Sequence, residues 1–164
     1  MPFENTSTRL WKRLTPADRM AAALHFWKEP PQMAAASALG VLVKTRHLRP
    51  QAARALAPEQ QARILSSVLD PGETVAGFLL VALHLGERRA LLKAFLDALK
   101  LPHDDGILKE EADKIEITDA SIETAVKDLS GQFPREQLEV YLNTLYLQDP
   151  ERWGVLAKTE VPQA

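Results

Sequence analysis

Apolar positions recur at helical spacing over most of the chain. Thr15-Pro16-Ala17-Asp18 combines a capping hydroxyl, a proline for the first helical position and a carboxylate in the first turn. After it, Ala17, Met20, Ala21, Leu24 and Trp27 form one apolar stripe. Glu29-Pro30-Pro31 ends that helix and opens the next, which the pattern carries to residue 43. A short helix follows Pro50. Pro58 starts another, with Ala62, Leu65 and Leu69 on one face. Asp70-Pro71-Gly72-Glu73 is a further start signal, leading into a helix over 75–85 that is apolar nearly all round. Residues 87–100 are amphipathic, with Leu91, Leu92, Phe95, Leu96 and Leu99 on the core face. Two more helices are expected over 120–130 and 134–148, and a short one after Asp149-Pro150. Leu101-Pro102 and His103-Asp104-Asp105-Gly106 interrupt the series as a helix stop and a turn. A short helix over 107–113 and a brief alternation over 114–118 follow them.

The prolines suggest repetition. An offset of 40 residues lays Ala36-Ser37-Ala38-Leu39-Gly40-Val41 on Ala76-Gly77-Phe78-Leu79-Leu80-Val81, and Arg49 on Arg89. Units of 16–57, 58–100 and 119–158 result, with 101–118 as an acidic insertion. This period, with about three helices to each unit, resembles the armadillo/HEAT style of helical repeat. The resemblance is architectural and covers residues 16–100 best. A middle helix that is apolar on every side must be sandwiched, and stacked units supply neighbours on both sides. The expected fold is all-α, as one domain over 1–164 with flexible ends over roughly 1–8 and 159–164. It is either a helical bundle or a short armadillo/HEAT-like stack of three-helix units, with about eight or nine helices.

Composition agrees with the helical pattern. Of 164 residues, 46% are apolar, and Leu and Ala together make up about 29%. There is no cysteine, so thiol nucleophiles, cysteine-ligated zinc, iron–sulfur clusters and disulfides are excluded. The longest apolar run, 75–83, is far short of the roughly 18–20 residues of a membrane span, and the N-terminus lacks a signal-peptide pattern. A soluble, cytoplasmic protein without membrane contact is expected. The net charge of −2 conceals an asymmetry. Residues 1–96 hold 13 Lys and Arg against 7 Asp and Glu, whereas 97–164 hold 7 against 15. A basic surface in the first part would suit an acidic partner.

Few side chains suggest chemistry. His25, His47, His84 and His103 include no pair at the spacing that puts two imidazoles on one helix face, and no metal or cofactor is expected. His84 sits near the end of the most apolar helix, where a carbonyl or the helix dipole would satisfy it. His103, Asp104 and Asp105 are the one cluster with metal-ligand residue types, yet adjacent side chains do not converge on one ion without special loop geometry. No nucleophile elbow, dinucleotide fingerprint, P-loop or calcium loop is present. The remaining constellation is basic. Lys44, Arg46, His47 and Arg49 crowd the turn after the second helix of the first unit. Arg88 and Arg89, with His84, occupy the matching turn of the second unit. Stacked units would bring the two turns onto one ridge, with arginine forks for carboxylates or phosphates.

The sequence leans away from an enzyme. Its expected function is a non-catalytic protein-interaction or adaptor module. An acidic protein or peptide would bind through Lys44, Arg46, His47, Arg49, Arg88 and Arg89. Two alternatives stand beside it: nucleic-acid binding through the basic N-terminal half, and an enzyme or small-ligand-binding protein with a site near His103.

Overall fold

Local capping chemistry places the helices where the proline pattern puts them. Thr15 accepts a hydrogen bond from the Asp18 amide at 3.1 Å, and Pro16 fills the first helical position, where no amide needs a partner. A computed structural model describes residues 3–163, with residues 1, 2 and 164 outside it. Nine α-helices form among the described residues, and the fold is an all-α helical bundle. The chain groups into two compact units, residues 4–87 and residues 88–163 with Phe3. Their boundary falls inside the 58–100 stretch of the sequence reading.

In the 4–87 unit the helices are α1 (Ser7–Arg13), α2 (Pro16–Lys28), α3 (Gln32–Arg46), α4 (Pro50–Ala55), α5 (Pro58–Ser67) and α6 (Glu73–Leu85). α6 buries Val75, Ala76, Leu79, Leu80, Ala82, Leu83 and His84, and α1, α2 and α3 all pack against it. A helix apolar on so many sides is stable only in such a sandwich. α2 packs on both α5 and α6. That double contact explains why the adjacent Phe26 and Trp27 are both buried. Their rings meet edge to face, with centroids 5.1 Å apart.

The N-terminal segment is more ordered than its composition suggests. Residues 1, 2 and 164 of the expected flexible ends lie outside the described residues. Within those described, Thr6 caps α1, Leu10 and Trp11 are buried, and Val161 belongs to the other unit's core. The Glu73 carboxylate sits on the start of α1. Its Oε1 accepts the Ser7 amide at 2.6 Å, and its Oε2 accepts both the amide and the hydroxyl of Thr8 at 3.1 Å. Desolvation works to raise the carboxyl's pKa, but the hydrogen bonds from Ser7 and Thr8 outweigh it and leave it below the ordinary 4.5. A carboxyl lowered on folding stabilises the protein above its unfolded pKa, and that contribution is lost as pH falls through the lowered value. Glu73→Gln is expected to cost about 0.5–1 kcal/mol at neutral pH, the low end for a cap because the site is exposed and screened. Urea titrations should show the gap between wild type and variant closing well below pH 4.5. A gap that persists there would show that charge is not its source.

The 88–163 unit contains α7 (Arg89–Ala98), α8 (Asp119–Ser130) and α9 (Arg135–Gln148), with short 3-10 helices at Glu110–Lys114 and Gly154–Lys158. Its core joins Leu91, Phe95 and Leu96 to Ile122, Val126, Leu138, Tyr141, Leu142, Trp153 and Leu156. The interruption after α7 contains a small hairpin, β1 (His103–Asp104) against β2 (Ile107–Leu108). Asp105 and Gly106 both have positive φ, 50° and 95°, as a two-residue primed turn demands. The alternation over 114–118 forms no strand. Its first residue closes a 3-10 helix, and Thr118 turns to cap α8 through the Ser121 amide. The helix expected over 107–113 is likewise replaced, by β2 and the 3-10 turn.

Candidate functional site

α3 runs three residues further than the apolar pattern indicates, so Lys44 and Arg46 lie in its last turn rather than after it. His47 is the C-cap residue in the left-handed conformation, φ 52° and ψ 38°. The amides of both His47 and Leu48 reach the Val43 carbonyl, which closes the helix end. Glycine is the usual residue for this backbone, and histidine is accepted here with a side chain exposed to solvent. Arg49 then caps α4 with extended backbone, and Pro50 takes the first helical position.

The result is a short connection carrying Lys44, Arg46, His47 and Arg49, all exposed. None of the four has an ion pair or side-chain hydrogen bond among the described residues. Cations at a helix C-terminus are favoured by the dipole, which partly accounts for their position. Elsewhere in the same unit that preference is satisfied by direct contact. Arg19 donates to the carbonyls of Leu14 at 2.6 Å and Ser66 at 3.1 Å, at the ends of α1 and α5.

The other two residues of the expected ridge belong to the 88–163 unit and have different surroundings. Arg88 is buried, 7% exposed, as the residue preceding α7. Arg89 binds the Asp105 carboxylate at 2.5 Å, and Lys93 binds its other oxygen at 3.2 Å. Lys93 first, then Arg89, hold that carboxyl below its usual pKa. The two turns also differ in backbone. α6 ends at Gly86 with φ −97° and ψ −102°, where a side chain would collide with the His25 ring. His84 donates from Nδ1 to the Leu80 carbonyl at 2.8 Å and is buried, the structural arrangement its position suggests.

Nor do His103, Asp104 and Asp105 converge. The Gly106 amide donates to His103 Nδ1 at 3.0 Å, so the ring proton sits on Nε2 and is donated to Asp97 at 2.7 Å. Both ring nitrogens are thus occupied, while Asp105 faces Arg89 and Lys93. Among the described residues no group of three or more His, Cys, Asp or Glu is placed to hold a metal ion. No helix of the described residues is long and apolar enough to cross a membrane.

A groove adjoins the basic turn that sequence reasoning did not single out. Ser37, Gly40, Val41, Lys44 and Thr45 of α3 line one side, and Val68, Asp70, Pro71 and Gly72 the other, around about 610 Å³. The signal for it was one glycine inside a helix pattern. No protein-family model, curated protein or solved structure matches the chain.

Proposed function

We propose that the chain is a non-catalytic interaction module that binds acidic protein segments through Lys44, Arg46, His47 and Arg49. One observation carries the reading: these side chains are exposed without internal anions among the described residues, whereas Arg89, Lys93, Arg135 and Arg152 each meet a carboxylate. Exposed, uncommitted arginines offer forked donors that match carboxylate geometry, and a lysine adds a mobile point charge. The reading retains a cytoplasmic setting, on sequence grounds, and drops Arg88 from the surface because it is buried. It does not depend on the helices forming a repeat.

The test is fluorescence anisotropy with a labelled oligoglutamate peptide. The double variant Arg46→Glu, Arg49→Glu is expected to bind about tenfold more weakly, with little change in melting temperature, because the unfavourable carboxylate at the end of α3 is offset by a favourable one at the start of α4. Wild-type affinity should fall steeply with salt. Undiminished binding by the double variant overturns the proposal. Preference for duplex DNA over oligoglutamate moves the reading to nucleic acid.

A further inference from the structure

The ladder between β1 and β2 consists of two residue pairs, His103 with Leu108 and Asp104 with Ile107. A hairpin this short is not stable by itself, so contacts outside the ladder decide its conformation. Two such contacts act at the turn. The Asp105 carboxylate is tied to Arg89 and Lys93 of α7. The Gly106 amide, which a two-residue turn leaves out of the ladder, donates to His103 Nδ1 at 3.0 Å. Gly106 is buried, and a side chain at that position would strike Leu92. Losing the imidazole acceptor would therefore leave a buried amide in need of a new partner.

That acceptor exists in only one charge state of the ring. The His103 side chain is 11% exposed, and its Nε2 lies 2.7 Å from Asp97 Oδ1. The neutral ring satisfies both neighbours, with a lone pair on Nδ1 for Gly106 and a proton on Nε2 for Asp97. An imidazolium carries a proton on both nitrogens. It pairs more strongly with the Asp97 carboxylate, but its Nδ1–H meets the Gly106 N–H donor to donor. We propose that Asp97, His103 and Gly106 form a proton-operated latch, in which acidification charges the ring, tightens its pair with Asp97 and releases the Gly106 amide, so that the turn rearranges about Asp105. The latch lies in the 88–163 unit and does not depend on the acidic-segment reading.

The neighbouring charges support a local release. Among the described residues the His103 side chain has no hydrogen-bond or ionic partner besides Asp97 and Gly106. On α7, Arg89 and Lys93 are engaged with Asp105. Asp104 within the hairpin is exposed, as are Lys100 before it and Lys109 after it. Lys93 first, then Arg89, hold the Asp105 carboxyl below its ordinary 3.8, so this anchor stays ionised at about pH 5. One side of the turn thus keeps its tie to α7 while the other is let go. Ile107 follows the turn directly and is 62% exposed, so the latch sets how an apolar side chain is presented at the surface.

Nitrogen-15 NMR of the full chain, titrated from about pH 8 to about pH 5, reads both parts of the latch. At the upper end the His103 ring should be the Nε2–H tautomer. On acidification the Gly106 amide signal should move with the same midpoint as the His103 ring nitrogens. Its protection from hydrogen exchange, corrected for the intrinsic pH dependence, should fall about tenfold. His103→Asn keeps a side-chain acceptor near the place of Nδ1 but takes up no proton in this range, so its Gly106 amide should stay protected throughout. A Gly106 amide that keeps its position and protection while the ring gains its proton overturns the proposal. So does an Nδ1–H tautomer at about pH 8, or a ring still neutral at about pH 5. An equal response of Gly106 in His103→Asn would assign the change to another group and overturn it as well.

Discussion

Trp11→Ala is expected to destabilise the 4–87 unit by about 3–5 kcal/mol, the range for emptying a fully buried large aromatic site. Trp11 is 0% exposed, and its indole Nε1 donates to the Val68 carbonyl at 2.9 Å, which ties α1 to the segment between α5 and α6. Truncation therefore removes apolar contact and leaves a carbonyl without its donor, and both effects act in the same direction. A unit of this length holds only about 4–13 kcal/mol in total, so the variant should sit near its unfolding threshold at 37 °C. Trp11→Phe keeps most of the ring volume and loses only the hydrogen bond, for about 1–2 kcal/mol. Urea denaturation of both variants at constant slope separates the packing contribution from the hydrogen bond. A loss under 1 kcal/mol for Trp11→Ala would show that α1 is not part of the unit's cooperative core.

Trp11 also shows where the sequence stops being informative. Its helix spans seven residues, too few for periodicity to distinguish it from a loop, and the carboxylate that stabilises its start comes from Glu73, 66 positions away. The longer helices were legible because their signals are local. Proline at the first position, a capping threonine and the apolar stripe all lie within one window, as at Thr15, Pro16 and Asp18. The basic site divides along the same line. That Lys44, Arg46, His47 and Arg49 cluster is a matter of adjacency, and the sequence shows it directly. That Arg89 is committed to Asp105, 16 residues on, and that Arg88 is buried depend on packing that no short window records. Two positions carry a weaker local trace. His47 takes a conformation that glycine usually supplies, and Gly40 is a glycine where a helix prefers another residue. Each is a small conflict between local propensity and observed structure.

Phe95→Ala is expected to have an effect of similar size in the 88–163 unit, about 3–5 kcal/mol. Phe95 is 0% exposed, and its ring lies 5.3 Å from Tyr141 at 79° and 5.9 Å from Trp153 at 52°. One side chain thus connects α7, α9 and the residue preceding the last 3-10 helix. Edge-to-face pairs of this kind add about 0.5–1.5 kcal/mol beyond buried area, so Phe95→Leu, which keeps bulk but not the ring, should recover most of the loss without restoring it fully. Tyr141 gives an independent optical readout. Burial pushes its hydroxyl above the ordinary tyrosine value, because the phenolate cannot be hydrated in the core. Opening a cavity beside the ring admits water and lowers that pKa toward its usual range, so alkaline absorbance titration of Phe95→Ala should show Tyr141 ionising before the unit unfolds. Trp153 emission should shift to the red in the same variant. A change in stability with neither optical change would mean that the aromatic cluster closes over the missing ring, and the expected loss would then fall toward the transfer cost alone.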